Sequence, residues 1–166
     1  SYDDIVIVLA GTYPECVTWD AKSLDIRGAG AGLAIIDAGG AGRCMTITNV
    51  PATANLTGFT FTGGSAYQGG GLRLSNSSPT LANNTITGNI ANFGGGVYCY
   101  RTSLAIVNNT IADNSASGGG GVFCWDSSPT VSNNTITGNR ASYNGGGLFL
   151  KDCSSPTTAK NIIIGT

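Results

Sequence analysis

Apolar and polar residues alternate in short runs along the whole chain, and the runs never lengthen into a helical pattern. Ile5-Val6-Ile7-Val8-Leu9, Ser23-Leu24-Asp25-Ile26-Arg27, Leu33-Ala34-Ile35-Ile36-Asp37, Met45-Thr46-Ile47-Thr48 and Phe59-Thr60-Phe61-Thr62 each read as one short strand. Between them stand turns such as Ala10-Gly11-Thr12, Gly28-Ala29-Gly30 and Gly39-Gly40. From Gly69 onward the pattern becomes periodic. Gly69-Gly70-Gly71-Leu72 returns as Gly94-Gly95-Gly96-Val97, Gly119-Gly120-Gly121-Val122 and Gly145-Gly146-Gly147-Leu148. The steps from Leu72 to Val97 and from Val97 to Val122 are 25 residues each, and the step to Leu148 is 26.

A period of this size, carried by β-type runs and Gly/Asn punctuation, predicts a solenoid. Each unit contains three short strands. In the second they are Val97-Tyr98-Cys99, Leu104-Ala105-Ile106 and Asn109-Thr110-Ile111. Stacking like strands on like gives an all-β parallel coil of triangular section, with turns about 4.8 Å apart. Alternation then assigns the interior to three columns: Ile47, Leu74, Cys99, Cys124 and Leu150; Leu81, Ile106 and Val131; and Phe61, Ile86, Ile111, Ile136 and Ile163. The whole chain, 1–166, reads as one domain, with irregular N-terminal coils over 1–48 and regular coils over 49–166.

The units Gly-Gly-Gly-Val-Tyr-Cys, Ser-Ser-Pro-Thr and Asn-Asn-Thr-Ile-Thr-Gly-Asn, with the opening Leu-Ala-Gly-Thr-Tyr-Pro-Glu, resemble the right-handed parallel β-helix repeat family. The resemblance implies a right-handed parallel β-helix of about six coils. It leaves function open, because the family spans pectate lyase-like and polygalacturonase-like enzymes, adhesins and surface proteins. A short capping helix commonly precedes the first strand in that family, and Ser1 to Asp4 leave no room for one. The run from Asn161 to Thr166 stops in what should be a core strand. Since a solenoid needs covered ends, the expectation is a piece of a longer secreted or cell-surface protein, or ends that stack on something.

Composition narrows the partners. Charged residues are 10% of the chain and histidine is absent, while Gly reaches 26 residues. Eight Lys and Arg, scattered singly, form no basic stripe for nucleic acid, and no apolar run is long enough to span a membrane. Five cysteines, Cys16, Cys44, Cys99, Cys124 and Cys153, form no CxxC pair, so no zinc ribbon is expected, and no cofactor is called for beyond the calcium considered below. Cys99 and Cys124 read as small core residues on adjacent coils, and Cys16 with Cys44 as the more plausible bridge.

Four sets of residues carry candidate chemistry. Asn84, Asn109 and Asn134, and likewise Asn89, Asn114 and Asn139, form columns read as structural amide ladders at corners where Asn tolerates left-handed geometry. The outward positions of the first strand read Thr46 and Thr48, Arg73 and Ser75, Tyr98 and Tyr100, Phe123 and Trp125, Phe149 and Lys151. Five aromatics expected to meet solvent on three adjacent coils suit stacking on the rings of a polysaccharide or cell-surface glycan, with Arg73, Arg101, Asp126 and Asp152 as a polar rim. Their alternative occupant is a neighbouring segment or a second subunit. The pair Asp126 and Asp152 on adjacent coils, with Arg101 or Lys151 nearby, is a candidate for glycoside hydrolysis or, by resemblance to pectate lyase-like sites, for calcium-assisted lyase chemistry. Finally, Thr60 and Thr62, Thr85 and Thr87, Thr110 and Ala112, Thr135 and Thr137, then Ile162 and Ile164, form a Thr-rich array that resembles the ice-binding surface of β-helical antifreeze proteins. Glycan recognition leads. A scaffold assembling through its coil ends, a lyase or hydrolase, and an ice-binding protein follow.

Overall fold

The computed structural model describes residues 4–164. The chain winds as a parallel β-solenoid whose strands fall into four sheets, every pairing parallel and every neighbour one coil away. The first sheet holds Asp4–Val8, Leu24–Gly28, Asn55–Thr57, Thr80–Ala82, Ala105–Val107, Thr130–Ser132 and Thr157–Ala159. The second holds Gly11–Tyr13, Ala34–Asp37, Phe59–Thr62, Thr85–Thr87, Thr110–Ala112, Thr135–Thr137 and Ile162–Ile164. The third holds Val17–Asp20, Met45–Thr48, Leu72–Ser75, Val97–Tyr100, Val122–Trp125 and Leu148–Lys151.

The three columns assigned to the interior line the core. Ile47, Leu74, Cys99 and Cys124 are buried, as are Leu81, Ile106 and Val131, and Phe61, Ile86, Ile111 and Ile136. Ile163 continues the last column in register with Ile136 but is half-exposed, since among the described residues no strand stacks beyond it. In the first coils the interior is less filled. An almost wholly apolar cavity of about 290 Å³ lies between Val6, Val8, Tyr13, Ile36, Leu56 and Phe61.

Two features depart from the sequence reading. Gly11–Tyr13, read as part of a turn, is a strand paired with Ala34, Ile35 and Ile36, and it places Tyr13 at the head of the Ile36 and Phe61 column. A fourth sheet, Ser65–Gln68, Ile90–Phe93, Ser115–Gly118 and Arg140–Asn144, is inserted between the second and third, so these four coils carry four strands. Its strands are rich in small residues. An alanine column, Ala66, Ala91, Ala116 and Ala141, runs in register through the sheet, half-buried to buried.

The Gly-Gly-Gly units lie where the fourth sheet turns into the third. Gly69, Gly94, Gly119 and Gly145 sit at φ between 61° and 64°, a left-handed conformation that a β-carbon penalises. The third glycine has a different constraint. A Cβ on Gly96 would lie 2.7 Å from the Gly121 carbonyl oxygen of the next coil, so neighbouring turns can stack only without a side chain there.

The other corners are set by asparagine, with a division of labour between adjacent residues. Asn83, Asn108 and Asn133 take the left-handed conformation, at φ 56° to 57°, and remain exposed. The ladder residues Asn84, Asn109 and Asn134 follow them and point inward, fully buried. This corrects the expectation that the ladder asparagines themselves adopt the left-handed geometry. Asn109 Oδ1 accepts from the Asn84 backbone N–H at 3.0 Å, and Asn109 Nδ2 donates to the Leu81 carbonyl at 2.9 Å. Asn134 repeats the pattern toward Asn109 and Ile106. Asn89, Asn114 and Asn139 form a second ladder in the same way, behind Gly88, Asp113 and Gly138. No buried side-chain nitrogen or oxygen among the described residues lacks a partner.

All five cysteines are free thiols, so the expected Cys16–Cys44 bridge is absent. The buried Cys44 thiol donates to the Thr62 carbonyl instead, at 3.0 Å. Burial pushes its pKa up to about 11. Cys99 and Cys124 stack in register within the core, and the Cys99 side chain, together with burial, pushes the Cys124 thiol well above its ordinary value.

Candidate functional site

The third sheet projects two outward columns, and the fourth sheet decides what becomes of each. The column Arg73, Tyr98, Phe123 and Phe149 lies beside the glycine corner, where the fourth sheet folds toward it. Phe93 packs edge-on against Phe123 at 5.4 Å between ring centroids, and Tyr67 packs edge-on against Phe93 at 5.8 Å. Phe123 also stacks on Tyr98 at 5.5 Å and meets Phe149 at 5.2 Å. Tyr98 and Phe123, expected to face solvent, are therefore only 2% and 4% exposed. Burial raises the Tyr98 phenol above its ordinary pKa. The neighbouring wall covers these two rings, and Tyr67 replaces them as the exposed ring of the row.

The second column keeps its exposure. Tyr100 and Trp125 pack on each other at 5.2 Å, the Arg101 guanidinium lies over Tyr100 at 5.0 Å, and the Lys151 ammonium lies over Trp125 at 5.1 Å. Both cations sit within cation–π range of their rings. Trp125 is 38% exposed.

Between the columns and the fourth sheet runs a concave aromatic cleft that crosses successive coils. One stretch, of about 270 Å³, is lined by Tyr67, Gln68, Phe93, Trp125 and Lys151 over a floor of Tyr98 and Phe123. Its polar wall is held in place from below. Arg43 donates through Nε and Nη2 to the Gln68 carbonyl at 3.0 and 2.7 Å and through Nη1 to Thr46 Oγ1 at 2.9 Å, pinning the fourth sheet to the third. Burial, with Arg73 nearby, pulls the Arg43 guanidinium below its ordinary pKa. Gln68 Nε2 donates to the Tyr98 hydroxyl at 3.1 Å, and Arg73 Nε donates to Gln68 Oε1 at 3.4 Å. Lys151 is the one charged residue lining this stretch.

Residues 46–166 match the family model described as the right handed beta helix region. The chain belongs to this right-handed β-helix family. No curated protein and no solved structure matches it.

On this β-helix the other candidate residues occupy corners and flat faces outside the lining of the cleft. Arg101, Asp126 and Asp152 take left-handed conformations, at φ 52°, 50° and 53°, in one corner column that begins at Ala21, Asn49 and Asn76. Arg101 Nε pairs with Asp126 Oδ2 at 3.1 Å, and both side chains are more than half exposed. The structure brings Asp126 and Asp152 onto adjacent coils but adds no third carboxylate. Among the described residues no three or more Cys, Asp or Glu side chains converge in a group that could hold a metal ion. The Thr columns stand on the second sheet, where Thr60 is covered by the Gly32 loop, whose N–H donates to Thr60 Oγ1 at 2.9 Å.

Sequence reasoning missed Tyr67, Gln68, Phe93, Asn92, Gly118, Tyr143 and Asn144, all on the fourth sheet. The available signal was the alanine column at steps of 25 residues, which marks a repeating position where no strand had been assigned.

Proposed function

We propose that this β-helix is an extracellular or cell-surface module that binds an extended polysaccharide along the cleft between its third and fourth sheets. The carrying observation is the row of rings on consecutive coils, with Tyr67 and Trp125 exposed at its edges over a floor already packed by Tyr98, Phe123 and Phe93. Rings fixed by packing offer flat apolar area at little conformational cost. Sugar rings carry an apolar C–H face, which stacks on such area, and a girdle of hydroxyls, which needs donors and acceptors in the plane. Gln68, Arg73 and Lys151 supply these beside the rings. Arg101, Asp126 and Asp152 lie on the corner just beyond Tyr100 and Trp125 and form its outer margin.

The fold favours a long ligand. Successive coils continue the cleft at steps of about 4.8 Å, with different side chains at each step, so each added sugar meets a further stretch of it. Native affinity electrophoresis through gels containing soluble polysaccharides tests the reading. The wild-type chain is retarded by at least one polymer, and a Tyr67→Ala/Trp125→Ala variant with an unchanged melting curve migrates freely. Equal migration of both proteins in every polymer would sink the proposal.

A further inference from the structure

The cleft is not uniform. In the coil of Phe123 the fourth sheet presents Gly118 at the position where the preceding coil presents Phe93 and the following coil Asn144. The backbone does not demand glycine here, because Gly118 is not among the residues with left-handed φ. The neighbours do not demand it either. A Cβ on Gly118 would meet Phe93 and Phe123 at 3.5 and 3.6 Å, ordinary van der Waals contact. This glycine therefore differs from those of the Gly-Gly-Gly corners. Gly118 lines a hollow of about 340 Å³.

The chemistry of the hollow is specific. Its floor and inner walls are the rings of Phe123, Phe93 and Phe149, and its rim carries Asn92, Asn144 and Tyr143. No charged side chain lines it. Tyr143 is 82% exposed, and neither the Asn92 nor the Asn144 amide makes a side-chain hydrogen bond within the described protein. The volume lies at the low end of small-molecule sites, so the hollow suits one unit of a longer ligand. A carboxylate-bearing sugar would bring a charge that meets no cation there. A plain hexose would leave the apolar floor beyond its ring unfilled. An acetamido group meets both needs, since its methyl covers aromatic carbon and its N–H and C=O match side-chain amides that can donate and accept.

We infer that the Gly118 hollow is the specificity subsite of the cleft and takes the acetamido group of an N-acetylhexosamine unit, an inference that rests on the glycan-binding reading above. Isothermal titration with two β-1,4-linked hexasaccharides, one of N-acetylglucosamine and one of glucose, isolates the group, because they share linkage and differ in the substituent at C2. The wild type prefers the acetylated ligand by about tenfold or more, the discrimination expected of one well-filled pocket. In Gly118→Phe, which extends the Phe93 column across the hollow, that ratio collapses toward one, and in Asn144→Leu it falls in the same direction. Wild-type binding of both ligands without preference would overturn the subsite and leave the cleft standing. A preference that persists in a folded Gly118→Phe would overturn it too. If the wild type binds no polymer in the electrophoresis above, cleft and subsite fall together.

Discussion

At the scale of single residues, neighbouring asparagines in this chain do opposite work, and the difference is measurable. Asn109 accepts the Asn84 N–H and donates to the Leu81 and Val107 carbonyls in the dry interior. Asn109→Ala strands the Asn84 N–H and takes a donor from the Leu81 carbonyl, and buried groups left unpaired cost about 1–3 kcal/mol each, so chemical denaturation shows a loss of several kcal/mol. Asn108→Gly, one residue earlier, meets a left-handed backbone that glycine accepts freely, and the denaturation midpoint moves little. Large losses in both variants would contradict this division. Cys44 gives a pH signature. Its folded pKa is raised from 9.0 to about 11, so between those values the unfolded chain has released the proton while the folded chain still holds it. Folding stability is therefore intact below about pH 9 and falls as pH rises toward 11. In Cys44→Ser, which retains a hydroxyl donor toward Thr62, the fall measured by urea midpoint is shallower. The inward columns were legible from alternation, most plainly where Ile47, Leu74, Ile86, Val131 and Ile136 each sit between two polar neighbours. The asparagine assignment was not, because Asn-Asn pairs look alike in sequence while their backbone conformations differ.

At the scale of elements, the glycines separate into those the fold needs and those, Gly118 among them, that it does not. Gly96→Ala places a methyl 2.7 Å from the Gly121 carbonyl oxygen and 3.0 Å from Asn114 Nδ2. Forcing two coils apart costs about 3 kcal/mol or more, at the upper end of overpacking. Gly118→Ala meets only ordinary contacts, and relief of glycine's unfolded-state entropy leaves it neutral or slightly more stable. Paired melts of the two variants check this, and equal destabilisation would refute it. The fourth sheet was the part of the fold hidden from the sequence. Ser65-Ala66-Tyr67-Gln68 and Ser115-Ala116-Ser117-Gly118 lack the β-branched residues by which a strand announces itself, and their pairing comes from the stacking of neighbouring coils. Missing that wall also mislaid the site. Tyr98 and Phe123 were legible as an outward column but not as a covered one, because what covers them is the unassigned strand.

At the scale of the whole molecule, the strand pairings of the described residues run between adjacent coils, so stability is shared mainly between neighbouring turns. Amides of Val97–Tyr100 and Val122–Trp125 have strands on both sides, whereas Asp4–Val8 and Ile162–Ile164 are edge strands among the described residues. Hydrogen exchange on this chain is slowest in the former and fastest in the latter. Uniform protection from end to end would show a cooperativity that nearest-neighbour stacking does not supply. The same arrangement carries the aromatic row across several coils and makes a ligand-length dependence the natural outcome of glycan binding. The chain offers a direct reporter for that claim, because it has two tryptophans, one of them buried in the core at 3% exposure and the other in the cleft. In a Trp19→Phe background, emission comes from Trp125 alone. Titrating this variant with the polysaccharide that retards it most strongly should shift Trp125 emission to the blue and shield it from acrylamide quenching, saturating at lower sugar concentration for longer chains. Emission and quenching left unchanged by a polymer that still retards the protein would place binding elsewhere and contradict the cleft as its site.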